Sequence, residues 1–306
     1  MTGYRVRSSL AVVASFVAAG LVTSSAVAGA AAFTVVDDVG RTVVMNGPPD
    51  RIVALAPSNT EILFALGAED RIVAVDQWSD HPPAAKVKPR ISPFSPSLEQ
   101  IVKLRPDLIL AAHGSAEPVL PLDRQGVKIV VLAPRTLDDI YRNVLLIGRI
   151  VEAEGRAKRL VDGMRQRVAA VLAKVRDAPR PKVFVELDAS DPIRPFTAGP
   201  GSFVDLLVQL AGGANIAASS RTAWPQFSLE EVLRADPDLI ILAHELAAMN
   251  PQTPQTVARR PGWRHLRAVR EGAIYPIEGE LLSRPGPRIV EGLELLARLF
   301  HPDRFR

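Results

Sequence analysis

Few residues of this chain have the type and spacing needed to make or break a covalent bond. There is no Cys, which excludes a thiolate nucleophile, a thiol metal site, disulfides and a lipid-modified Cys together. No Gly-x-Ser-x-Gly elbow occurs either. Ser202 ends Gly199-Pro200-Gly201-Ser202 and precedes the apolar run Phe203-Val204-Asp205-Leu206-Leu207, the signature of a helix N-cap. An exported hydrolase built on Ser202 would need a His and an acid brought to it from elsewhere. His81, His113, His244, His265 and His301 form neither a His-rich loop nor an i,i+4 pair, so no zinc or manganese site is expected. No catalytic residue and no metal ligand is assigned. The remaining chemistry is recognition. Aromatic residues make up only 5% of the chain, yet two of its three Trp, Trp78 and Trp224, fall in loops after predicted strands. Core packing rarely puts Trp there.

The elements that must position these residues come in two copies. Ser97 opens SLEQIVKLRPDLILAAH, and Ser228 opens SLEEVLRADPDLIILAH, at a constant offset of 131 residues without a gap. Ser97 and Ser228 are N-cap candidates, and Glu99 and Glu230 favour the positive end of the helix that follows. Pro106-Asp107 and Pro237-Asp238 stop the helix and turn the chain. Leu108–Leu110 and Leu239–Leu242 are short apolar runs and read as buried parallel strands. His113 and His244 follow at the carboxyl ends, where open α/β sheets bind ligands. A strand-end His with a satisfied hydrogen bond is the plainer reading of both. Two copies imply two lobes of like architecture, with a ligand held between them.

The first 28 residues read as a cleaved signal peptide. Arg5 and Arg7 are its basic start, Leu10 to about Val22 its apolar stretch, and Ala26-Val27-Ala28 its small-x-small site. The exported product suits a periplasm, since no Cys is present to carry a lipid anchor. A membrane-anchored receptor would instead retain these residues. Without Arg5 and Arg7 the net charge of +4 falls to +2. That charge and the absence of a basic run interleaved with aromatics argue against nucleic acid as a partner. The rest of the chain is expected to be α/β: two lobes of parallel-sheet architecture, residues 33–154 and 179–306, joined by a long rigid helix over 155–178. Strands are expected at Arg51–Leu55, Arg71–Val75, Lys128–Leu132 and Lys182–Leu187. Helices are expected from Asn59 to Leu66, Thr136 to Ile150 and Gly155 to Arg176, with the break between the last two marked by Gly155 and the acids before it.

At this point the residues carry a resemblance. The run RIVALAPSNTEILFALGAEDRIVAVDQWSDHPP, the paired SLE…PDLI segments and GPGSFVDLLVQLAGGANIA are similar to the binding proteins of iron-siderophore and cobalamin ABC importers. Within them the chain resembles the cobalamin-binding branch. Trp78-Ser79-Asp80-His81-Pro82, Pro195-Phe196-Thr197-Ala198-Gly199, Ala223-Trp224-Pro225-Gln226 and Glu280-Leu281-Leu282-Ser283-Arg284 carry that likeness. Trp78 stands where Tyr is common, Phe94 where Trp is frequent, and Glu280 where Asp is frequent. The resemblance implies a monomer without catalytic activity or resident cofactor, which carries cobalamin as a transported ligand. It implies that Trp78, Phe94, Phe196 and Trp224 line the cleft and that Glu280 and Arg284 hydrogen-bond ligand edges. It also implies that Glu99 and Glu230 dock onto the membrane permease. The alternative ligands are a ferric siderophore, with Arg194, Arg221 or Arg284 near an anionic chelate, and haem, with His81 or His113 as axial ligand.

Overall fold

In the computed structural model, residues 1–2, 32–244 and 252–306 are described; the expected signal peptide lies outside this set apart from its first two residues. An antiparallel hairpin, β1 (Phe33–Val36) and β2 (Thr42–Met45), opens the first half. Then follow β3 (Ile52–Leu55), α1 (Pro57–Ala65), β4 (Ile72–Asp76), β5 (Arg90–Ile91), α2 (Leu98–Lys103), β6 (Leu108–Ala112), α3 (His113–Ala116) and β7 (Lys128–Leu132). The five strands β5-β4-β3-β6-β7 form one parallel sheet. Two helices come next, α4 (Leu137–Ile150) and the 22-residue α5 (Glu154–Val175).

The second half contains β8 (Lys182–Glu186), α6 (Phe203–Leu210), β9 (Ala214–Asn215), α7 (Leu229–Ala235), β10 (Leu239–Leu242), α8 (Pro254–Ala258), α9 (Arg267–Arg270), β11 (Ile274–Pro276), α10 (Glu280–Ser283) and α11 (Ile289–Phe300). Its sheet, β11-β10-β8-β9, is also parallel. The fold is therefore α/β with two parallel sheets, as the two-copy sequence requires. Each sheet winds outward from its first strand and then returns to the other side, so strand order reverses between β3 and β6 and again between β8 and β10. Ligands of such sheets bind beyond the carboxyl ends of the strands at these reversals.

The repeated segments occupy equivalent places, α2–β6 and α7–β10. Ser97 Oγ accepts from the Gln100 N–H and Ser228 Oγ from the Glu231 N–H, each at 3.2 Å. Arg105 and Asp236, also 131 residues apart, both adopt left-handed backbone, φ 47° and 44°. This conformation is uncommon outside Gly, and here it redirects the chain from helix to strand just before the repeated Pro. The Asp after that Pro does more than make a turn. Asp107 accepts from the Arg51 N–H at 3.0 Å and Asp238 from the Lys182 N–H at 2.8 Å, so each carboxylate pins the start of the adjacent strand across the same separation of 56 residues.

The expected helices and strands start within one residue of where the sequence places them, except for α1. α1 starts at Pro57, two residues early, because Pro is preorganised for the first helical position. The break between α4 and α5 falls among the acids before Gly155, as expected: Glu152 takes φ 56° and α5 runs from Glu154. Close packing holds the break, since a Cβ on Gly148 would meet the Ala157 Cβ at 2.4 Å. Ala157, Val161, Met164, Val168, Val171 and Val175 form the buried stripe of α5, which packs on both α4 and α11. One apolar cluster consequently runs from Val35 in the first half through this stripe to Phe300 in the second. Arg167 on α5 adds a two-bond ion pair to Glu294 on α11, both bonds 2.8 Å. Among the described residues no helix is long and apolar enough to cross a membrane.

Candidate ligand-binding site

Four aromatic side chains stand in loops beyond the carboxyl ends of strands. Trp78 follows β4, Phe94 follows β5, Phe196 follows β8 and Trp224 follows β9. They are 37%, 63%, 39% and 53% exposed, unusual for side chains of this size. The loop bearing Trp78 is tightly ordered. The Asp76 carboxylate accepts from the Trp78 N–H at 2.8 Å and from the Ser79 hydroxyl, and the Ser79 and Thr60 hydroxyls lie 2.8 Å apart. Arg90 donates to the carbonyls of Asp76 and Ser79. Burial raises the Asp76 carboxyl above its ordinary value, opposed by its bonds from Ser79 and Trp78. The Phe94 ring packs against Trp78 with centroids 5.5 Å apart. Gly114 makes room for it, because a Cβ there would lie 3.2 Å from the Phe94 ring.

In the second half, backbone pairing brings Phe196 and Trp224 to neighbouring positions. Phe196 bridges Asp188 and Gln226, Thr197 N–H donates to Pro225 O at 2.9 Å, and Gly199 N–H donates to Ala223 O at 2.9 Å. In this register Phe196, Trp224 and Gln226 share one face, and all three are exposed. A side chain at Gly199 would prevent the approach: its Cβ would sit 2.3 Å from Thr222 O. The aromatics thus come as two pairs, one per half, with no ring contact between the pairs among the described residues.

Glu280 and Arg284 are placed differently from the aromatics. Glu280, the first residue of α10, is buried. Arg284 donates to Asp80 at 2.6 Å, and 3.8 Å separates it from Glu61 and from Glu280. Arg288 donates to both Glu61 oxygens at 2.8 and 3.2 Å. These ion pairs cross between the halves beside the Trp78 loop. A cavity of about 520 Å³ opens next to them, lined by His81 of the first half and by Tyr275, Leu281, Arg288 and Leu295 of the second, but by none of the four aromatics.

Glu99 and Glu230 are both exposed near the start of α2 and α7. Glu99 contacts Lys103 at 2.6 Å. The adjacent Glu231 is occupied: its carboxylate accepts from the Ser228 N–H at 2.7 Å, which lowers its pKa and closes a capping box. Ser202 is equally occupied, accepting from the Asp205 N–H at 3.1 Å and donating to Gly199 O at 2.8 Å. His113 is exposed at the start of α3. His244 has its hydrogen bonds satisfied, by Glu186 at 3.2 Å and the Gln252 N–H at 3.2 Å. Sequence reasoning missed the centre of that network. Glu186 ends β8 fully buried, and Arg260 meets both its oxygens. Burial alone would raise the Glu186 carboxyl, but the hydrogen bonds from His244 and Arg260 and the charge of Arg260 outweigh it and lower its pKa. The available signal was a single charge in the apolar run Val183-Phe184-Val185-Glu186.

This arrangement of two parallel sheets, with aromatic loops at the strand ends of each half, is that of an extracytoplasmic solute-binding protein. The chain belongs to the periplasmic binding protein family, whose sequence profile matches residues 52–281. It is 30% identical to a cobalamin-binding protein of Halobacterium salinarum over 85% of this chain and 71% of that one. Its fold is similar to the periplasmic vitamin B12 binding protein of Vibrio cholerae, with TM-score 0.70 and 27% identity over 85% of this chain and 99% of the other. It is also similar to a periplasmic heme-binding protein from Roseiflexus sp. RS-1, with TM-score 0.74 and 26% identity over 83% and 99%. The protein is the solute-binding component of an ABC importer and not an enzyme.

Proposed function

We propose that this protein captures cobalamin between its halves and delivers it to the importer's permease. The observation that carries this reading is the pair of exposed aromatic side chains at the strand ends of each half. A corrin is a broad, nearly flat ring with apolar faces and amide edges. Aromatic side chains bury large area against such faces at little entropic cost. Trp78 with Phe94 is suited to one side of the ring and Phe196 with Trp224 to the other, while Glu280 and Arg284 are the candidate partners of its edges. The similarity to cobalamin-binding proteins supports the same ligand. In this reading residues 33–154 and 179–306 act as the lobes and 155–178 joins them. The first 28 residues are cleaved on export to the periplasm, and the product works as a monomer. Glu99 and Glu230, one exposed carboxylate per half, orient the loaded protein on basic residues of the permease.

One observation favours haem as a second reading. His113 is exposed, and its neighbour Gly114 lies against the Phe94 ring, so an imidazole is available at the edge of the aromatic surface. Titration of the purified protein with cyanocobalamin, hemin and ferric siderophores, followed by Trp fluorescence, separates the ligands. Saturable one-to-one quenching by cyanocobalamin, weakened by Trp78→Ala and Trp224→Ala, is expected. Saturation by a ferric chelate alone would refute the cobalamin reading.

A further inference from the structure

Arg284 lies among carboxylates contributed by both halves. Its Nη1 donates to Asp80 at 2.6 Å and is 3.8 Å from Glu61, and its Nη2 is 3.8 Å from Glu280. Arg288 is committed to both oxygens of Glu61. The Arg284 side chain is 13% exposed, and that of Glu61 3%. Two desolvated cations thus face three acids beside the loop that presents Trp78. Burial pushes the Asp80 carboxyl up, but the hydrogen bond and charge of Arg284 outweigh it and hold Asp80 below the usual carboxylate range. Asp80 is therefore anionic at neutral pH. Arg90 is committed to the carbonyls of Asp76 and Ser79, and Lys86, which acts on Asp80 through its charge, is exposed. Two further cations near the aromatic loops are Arg194, paired with Asp191 at 3.2 Å, and Arg221, three residues before Trp224. Both are exposed, so water and salt screen their attraction for an anion.

We propose that Asp80 is a specificity-determining residue: by neutralising Arg284 it makes the cleft select a ligand with uncharged amide edges over one of the same shape that carries carboxylates. The inference deepens the proposed function and rests on it for the place of Arg284 at the ligand. Arg284 keeps donors for an amide oxygen, because Asp80 takes one of its N–H groups. A ligand carboxylate would have to displace Asp80 and approach Glu61 and Glu280 as well. Selectivity of this kind comes from repulsion of the wrong ligand rather than from tighter contact with the right one.

The test compares ligands that differ in charge and not in shape, by calorimetric titration at low salt. Cyanocobalamin is set against its monocarboxylate, in which one side-chain propionamide has been hydrolysed. The native protein is expected to bind the amide form about tenfold more tightly, the scale of one unfavourable charge contact. Asp80→Asn should shift that ratio about tenfold toward the carboxylate, and Asp80→Glu should restore it. General loosening of the loop would weaken both ligands alike and leave the ratio unmoved. If Asp80→Asn does not fold, Arg284→Gln serves instead and should raise the preference for the amide form. If neither corrin binds, the cobalamin reading fails, and neutral ferrichrome against a ferrichrome analogue carrying one added carboxylate then makes the same comparison of charge. Equal or tighter binding of the anionic member of the pair that binds overturns the proposal. So does a ratio unchanged in the variants, and so does failure of all four ligands to bind.

Discussion

Glu61→Gln tests how strongly the two halves are fastened. Glu61 lies on α1 of the first half and Arg288 immediately precedes α11 of the second, 227 residues away, joined by hydrogen bonds of 2.8 and 3.2 Å. The amide keeps the shape and removes the charge. Arg288 then remains almost buried against a neutral group. Breaking a buried pair from one side costs about 3–5 kcal/mol. Asp80 and Glu291 also act on Arg288 through their charges, which places the expected loss at the low end, about 3 kcal/mol. With about 2.1 cal/mol/K of unfolding entropy per residue, a chain of this length shifts by roughly 1.7 °C per kcal/mol, so Tm should fall by about 5 °C. Arg288→Gln should cost less, because Glu61 retains Arg284 at 3.8 Å. A Glu61→Leu, Arg288→Met double variant should recover most of the loss, since apolar replacement of a buried pair is often neutral or stabilising. Urea and thermal unfolding of the native protein, Glu61→Gln, Arg288→Gln and the Glu61→Gln, Arg288→Gln double variant close the cycle. Losses below about 1 kcal/mol that simply add would place the pair among ordinary surface bridges and refute the argument.

Trp78→Ala and Trp224→Ala should each weaken ligand binding by about thirtyfold, the scale of an interface anchor, with Tm nearly unchanged because both rings are substantially exposed; titration with a Tm control checks both. Glu99→Lys with Glu230→Lys should leave ligand affinity intact and slow transport into vesicles carrying the importer, whereas Glu231→Gln should reduce stability by about 1 kcal/mol through its cap and leave transport unaffected. The pKa of Glu186 in the folded protein is depressed below its ordinary value of 4.5. Its stabilising contribution is therefore complete above that value and lost as pH falls through the folded pKa. Measured between pH 6 and 3, Tm should fall less steeply in Glu186→Gln than in the native protein, from a lower starting point; parallel curves would remove Glu186 from the acid response.

Local rules carried a large part of this fold. Ser97 and Ser228 announced their helices, and the apolar runs after each Pro-Asp pair became β6 and β10 as read. The positions of Trp78 and Trp224 after strands were equally legible, because a loop is a local property. Pairings between distant residues were not legible. Arg284 and Asp80 are 204 residues apart, and Arg260 and Glu186 are 74 apart. No periodicity records that such charges meet. For the same reason nothing in the sequence showed that Asp80 takes one of the N–H groups of Arg284. The pinning of strand starts by Asp107 and Asp238 was half visible. The repeated Asp was conspicuous, but local reasoning assigned it to the turn rather than to the neighbouring strand.

The connection between the halves limits how a ligand can be admitted. If they opened at the joint by separating α11 from α5, part of the α5 stripe would be uncovered, along with the Arg167–Glu294 pair. Each buried Val or Met side chain returned to water costs about 1.5–3 kcal/mol. Exposing only Val168, Val171 and Val175 would therefore cost at least about 4.5 kcal/mol before the ion pairs are counted. A population that far above the ground state is too small to be the usual route for a ligand to enter. Entry is better served by movement of the loops that carry the aromatics, with the core of the joint left intact. Those loops are anchored individually, the Trp78 loop by Asp76 and Arg90 and the Trp224 segment by its pairing with residues 195–199. Loss of those anchors, in Asp76→Asn or Arg90→Gln, should therefore change the association rate more than rigid separation of the halves would predict. Stopped-flow association measured with these variants and with Glu61→Gln separates the two routes: a faster on-rate confined to Glu61→Gln would show that the joint itself opens.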